Sequence, residues 1–82
     1  MAALDDLAAQ LAKDTMDAMD ETGEDRLFME VAGVLGAASQ TLEEAYLTEV
    51  RVRLAARRAE KFLTEKLAAL RAAKTSSDPS SL

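Results

Sequence analysis

From Leu4 to about Met19 the larger apolar residues fall at Leu4, Leu7, Leu11, Met16 and Met19, with Ala8, Ala12 and Ala18 beside them. Spacings of three to five residues trace one helical stripe, with Asp5, Asp6, Lys13, Asp14 and Asp17 largely off it, and predict a first helix. The polar run Asp20 to Asp25 interrupts that stripe. Within it Gly23 is a natural stop, because glycine enters the left-handed conformation that ends helices without a steric penalty. Arg26 to Ala38 is apolar nearly all round, which predicts a second helix at the centre of the assembly. Glu24, Asp25 and Glu30 stand near its start, where the helix dipole favours anions. Ala32 with Gly36, and Gly33 with Ala37, place small residues four apart. They form either a seam for close approach by a neighbour or two glycines that weaken the helix by ~1 kcal/mol each.

Thr41 and Glu44 stand at capping-box spacing, so a third helix is expected to begin there. Ser39 to Thr41 contains neither Gly nor Pro, which leaves open a single rod running from the second segment into the third. Leu42 to Ala73 has no breaker and reaches roughly 48 Å at ~1.5 Å per residue. Its stripe is Val52, Ala56, Ala59, Leu63, Leu67 and Leu70, flanked by Leu47, Val50, Leu54 and Phe62. Glu49 and Lys66 fall on seam positions of the frame set by Leu42, Ala45 and Val52, which argues against a simple two-stranded coiled coil. Residues 75–82 lack the apolar content to fold and are expected to form a disordered tail behind a helical domain of residues 1–74.

Composition narrows this to an all-α fold, a small bundle or hairpin of two to three helices with a long C-terminal helix, completed by oligomerisation. Three Gly and one Pro in 82 residues are too few for a turn-rich β architecture. Of the 49% hydrophobic residues, 17 are Ala, so the larger groups available for a core are few. With neither disulfide nor metal to compensate, a chain of this length gains burial most simply by associating with another copy. The candidate interface is Phe62, Leu63, Leu67 and Leu70. Helices of about 16 and 14 residues cannot cover both ends of the long one, so a dimer or tetramer is expected.

The absence of Cys and His removes thiol nucleophiles, zinc-thiolate sites, the Ser-His-Asp triad and most transition-metal sites. Among the acids, Glu43 with Glu44 or Glu49 are candidates for acid/base work by residue type alone, and no phosphate loop accompanies them. Placing Gly23 at the sixth position of an EF-hand loop puts Met29 where the bidentate acid belongs, so that motif fails. The expectation is a protein that is not an enzyme and holds no cofactor or metal. Met16, Met19 and Met29 are read as core rather than as an adaptable binding groove. Tyr46 is read as a core-edge residue whose hydroxyl reaches water.

Charge is segregated along the chain. Residues 1–49 carry 12 acids and 2 bases, residues 50–74 carry 2 acids and 8 bases, and the whole chain is at −5. Arg53, Arg57 and Lys61 recur every four residues, as do Asp17 with Glu21 and Asp20 with Glu24. An acidic ladder facing the basic one would relieve both, and the Asp17/Glu21 ladder is the one to be tested against Arg53, Arg57 and Lys61. The basic face as a whole is Arg51, Arg53, Arg57, Arg58 and Lys61. It is read as a solvated, partly paired surface, with nucleic-acid contact as the alternative and membrane binding disfavoured for want of bulky anchors. No basic leader with an apolar run is seen and no segment is apolar for the ~20 residues of a membrane span, so a cytoplasmic protein is expected. The lack of Ile and Asn beside abundant Ala and Arg suggests a GC-rich bacterial genome. The function expected is that of an interaction, adaptor, chaperone or regulatory protein acting through self-association and protein partners. The alternative is a nucleic-acid-binding regulator using residues 51–61.

Overall fold

The computed structural model describes residues 2–77, with side chains from Ala3 to Thr75. The described residues form three helices and no strand: α1 (Ala2–Thr22), α2 (Leu27–Ala38) and α3 (Gln40–Ser77). At the end of α1, Gly23 takes φ 75° and its N–H donates to the Met19 carbonyl at 2.8 Å, the left-handed stop that the sequence predicts. The Thr22 hydroxyl donates to the Ala18 carbonyl and accepts from the Glu24 N–H, which ties the short acidic connection back onto the helix.

The break between α2 and α3 is one residue long. Ser39 is extended, with φ −159° and ψ 107°, and its N–H donates to the Leu35 carbonyl at 2.7 Å. Its Oγ accepts from the Leu42 N–H at 3.2 Å, so the same residue closes one helix and caps the next. This corrects the expected start at Thr41, because a hydroxyl two residues earlier does the capping. It also answers the single-rod alternative with two separate helices.

α1 runs in the same direction as α3, since Thr15 meets Tyr46 and Asp20 meets Arg57. α2 runs the opposite way: the Phe28 carbonyl reaches Tyr46, and Gly36 lies against the Glu43 side chain. All three meet at a small core of Ala8, Ala12, Met16, Ala32, Tyr46 and Val50, with Thr15 also buried. Leu11, Met19, Phe28, Val31, Leu35, Leu42 and Leu54 pack around it.

The core corrects three expectations. On α1 the stripe holds in part: Ala8, Ala12 and Met16 are buried and Leu11 and Met19 pack beside them, but Leu7 is 58% exposed. α2 lies on the flank rather than at the centre. Phe28, Val31, Ala32 and Leu35 face inward, but Met29 and Val34 point outward and Val34 is 73% exposed. Its small-residue seam is used on one side only: Ala32 is buried and a Cβ on Gly36 would meet the Glu43 side chain of α3, whereas a Cβ on Gly33 meets nothing. The third concerns Tyr46, which is fully buried. Its hydroxyl donates toward Thr15 Oγ1 at 3.1 Å and the Phe28 carbonyl at 3.3 Å, while the Thr15 hydroxyl donates to the Leu11 carbonyl at 2.7 Å. Burial raises the Tyr46 pKa, and the Thr15 contact opposes that shift.

Beyond Leu54 every described residue to Thr75 is exposed. α3 leaves the bundle as a bare arm, and the molecule measures 66 × 29 × 14 Å with a radius of gyration of 19.1 Å. A compact chain of this length would have about 12 Å. The expected tail 75–82 begins inside the helix: α3 continues to Ser77 and the Thr75 hydroxyl donates to the Arg71 carbonyl. Residues 78–82 lie outside the described residues.

Two substitutions test this packing. Tyr46→Phe removes the hydroxyl that joins the three helices and should cost about 1 kcal/mol, lowering Tm by ~4 to 8 °C for a domain of this size. An unchanged Tm would mean that the hydroxyl is solvated. Gly33→Ala adds a methyl in open space on a helix and should stabilise by up to ~1 kcal/mol. Destabilisation in thermal melts would reveal a neighbour packed against that position.

Candidate interaction surface

α3 presents two different faces, and the bundle uses only one of them. Tyr46, Val50 and Leu54 turn toward α1 and α2. At about 100° per residue, Val52, Ala56, Ala59, Leu63 and Leu70 lie nearly on the opposite side of the same helix. The stripe read from the sequence as the helix's main apolar face is therefore the uncovered one. Val52 is exposed beside the bundle, and Phe62, Leu63, Leu67 and Leu70 are between 37% and 64% exposed along the arm. Those four are the sequence-predicted interface, and the structure brings them together on one segment with no other helix near it. Val52 extends the patch past the four and belongs with them. Its periodicity with Leu63 and Leu70 already signalled as much.

The basic face divides. Arg57 makes a paired contact with Asp20, Nη1 to Oδ1 at 2.7 Å and Nη2 to Oδ2 at 2.8 Å. Arg53 pairs with Glu49 one turn before it, and Lys13 with Asp17 within α1 at 3.2 Å. Arg51, Arg58 and Lys61 are exposed, with no ion-pair partner among the described residues. The basic ladder does meet an acidic one, through Asp20 of the Asp20/Glu24 ladder rather than through Asp17/Glu21. The height of α1 along α3, set where Thr15 meets Tyr46, brings Asp20 level with Arg57 and leaves Asp17 one turn short. The two hydrogen bonds from Arg57 hold the Asp20 carboxyl below its ordinary 3.8. Partial desolvation opposes the shift, and the guanidinium charge adds to it.

An open groove of about 280 Å³ between α1 and α3 is lined by Lys13, Met16, Asp17, Arg53, Ala56, Arg57 and Glu60. Its cations are engaged by the carboxylates just named. Of the acids considered for catalysis, Glu49 holds Arg53, Glu43 lies beside Gly36, and Glu44 is exposed on the helix surface. Among the described residues no three acids converge as a metal ion requires, and no helix is long and apolar enough to cross a membrane. Comparison with family models, curated proteins and solved structures finds no match to this chain.

The Asp20 pair has a pH signature. Its folded pKa lies below the unfolded one, so its contribution to stability is present above the ordinary carboxylate value and fades as pH falls through the folded pKa. Asp20→Asn should melt below wild type at pH 7, and the difference should close as the pH drops below 3.8. A gap that persists at pH 2 would show that the loss is steric. Arg57→Asp should likewise lower Tm, and adding Asp20→Arg should recover part of the loss at low salt and less at high salt.

Proposed function

We propose that the protein is a helical interaction module that associates with its own kind, and through that assembly with protein partners in an adaptor or regulatory role, by way of the exposed stripe of α3. One observation carries the reading: the arm holds Phe62, Leu63, Leu67 and Leu70 in solvent, beyond the reach of both shorter helices. Full burial of such side chains is worth ~1.5 to 3 kcal/mol each. A contiguous apolar patch of this kind is the usual mark of an interaction site. The basic residues support a nucleic-acid contact less well, since Arg53 and Arg57 already hold carboxylates of their own chain.

Sedimentation at micromolar concentration should give a dimer or tetramer. Leu63→Asp combined with Leu67→Asp should shift it to monomer while the helical circular dichroism stays close to wild type, because neither residue touches the bundle. A monodisperse wild-type monomer would refute the proposal. So would a double variant that keeps its mass.

A further inference from the structure

We propose that two copies pair antiparallel along α3, on the face carrying Val52, Ala56, Ala59, Leu63, Lys66 and Leu70. The inference rests on the self-association reading above and adds the direction and register of the pair. These six residues are spaced by four and three in alternation, as in a helix-pair seam; Glu49 lies outside them, and Lys66, which argues against a simple in-register coiled coil, is their one charged member. α1 and α2 occupy the other side of α3. A second helix therefore fits against the seam without displacing either of them.

Side-chain size decides the direction. A parallel, in-register pair sets Ala56 on Ala56, Ala59 on Ala59 and Lys66 on Lys66, leaving voids in two layers and like charges in a third. An antiparallel pair with its two-fold axis beside Lys61 sets Val52 against Leu70, Ala56 against Lys66 and Ala59 against Leu63. Each of the two alanine layers then joins a small residue to a long one, the alternation that fills a helix interface. The Lys66 stem lies over the Ala56 methyl while its ammonium reaches water. Phe62 meets Phe62 of the second copy across the axis.

Charge does not choose the direction. The segment 50–74 is at +6 and residues 1–49 are at −10. A parallel pair stacks like on like over its whole length. The antiparallel pair in this register also lays segment 50–74 on itself, with Arg71 level with Arg51 and Lys61 on Lys61, and only Glu49 comes level with the basic end of the other arm. The direction therefore rests on side-chain size.

The test uses the absence of cysteine. Gln40→Cys places a single spin label on an exposed residue at the start of α3, away from the seam, and pulsed dipolar spectroscopy then reads the distance between the two labels of a pair. With the axis beside Lys61 the labels stand 42 residues apart along the pair, about 60 Å at ~1.5 Å per residue. Each neighbouring heptad register moves this by about 10 Å. A parallel pair brings the labels within about 25 Å, two helix diameters. A dominant distance near 60 Å that disappears with Leu63→Asp supports the proposal. A short distance, or one indifferent to Leu63→Asp, overturns the antiparallel pair while self-association stands. A wild-type monomer in sedimentation overturns both.

Discussion

The arrangement of the three helices depends on where the Tyr46 hydroxyl finds its partners. A phenol with no solvent exposure must hydrogen-bond inside the protein, because an unsatisfied buried hydroxyl costs ~1 to 3 kcal/mol. Its two acceptors belong to different helices, Thr15 Oγ1 on α1 and the Phe28 carbonyl in the first turn of α2. One O–H proton serves both, and Thr15 passes its own to Leu11, so every polar atom of the node is engaged. Sliding either shorter helix by a turn along α3 would break one of these contacts. The hydroxyl thus sets the heights of α1 and α2 along the long helix. The alanines around it allow the approach: at Ala8, Ala12 or Ala32 a larger side chain would occupy the space that the ring fills.

Those heights determine where the bundle stops. α1 ends at Thr22 and its last turns reach Arg57 through Asp20, while α2 is only 12 residues long and turns back at Ser39. Nothing in the described chain extends further along α3. A core built largely on alanine also removes little hydrocarbon from water, at about 25 cal/mol per Å² of apolar surface. The larger apolar groups Leu63, Leu67, Leu70 and Phe62 sit in the part of α3 that the fold leaves out. The bundle is sealed by half-buried groups such as Phe28, Val31, Leu35, Leu42 and Leu54 around a small fully buried centre, while a second set of large apolar groups lies outside it.

The helices themselves were legible from periodicity, and Gly23 marked the first stop because a positive φ there suits only glycine well. The long helix and its uncovered end also followed from length. What periodicity could not supply was which of two faces a helix turns inward. On α1 the stripe was broad enough to include both Leu11, which packs on the core, and Leu7, which the contact with Tyr46 leaves outside. On α3 the more regular stripe is the outer one, and the inner face, Tyr46, Val50 and Leu54, is interrupted by the charged Arg53 and Arg57 that follow it on the same side. Ser39 went unrecognised because Thr41 offered a more complete capping pattern. Asp17, Asp20 and Glu21 were indistinguishable as partners for the basic ladder until the Tyr46 node set the offset between α1 and α3. Each miss is a choice between near-equal local options that a contact distant in sequence resolves.

Electrostatics inside one chain cannot make full use of its charges. The net −10 of residues 1–49 and the net +6 of residues 50–74 meet mainly at the border of the bundle, where Asp20 faces Arg57. Lys66 and Arg71 lie two to four further turns along the helix, beyond the ~8 to 10 Å over which exposed charges act at physiological salt. Folding therefore leaves an acidic end and a basic end standing on a rod 66 Å long. Beside α1, where acids are plentiful, Arg57 and Lys13 hold carboxylates, but Lys66 and Arg71 stand away from them. Their place on the arm, on either side of an uncovered apolar seam, makes sense for a helix whose other contacts come from outside its own chain. Of the two features, the apolar face is the larger source of free energy, since exposed ion pairs are worth only ~0 to 1 kcal/mol each against ~1.5 to 3 kcal/mol for each large apolar side chain on full burial.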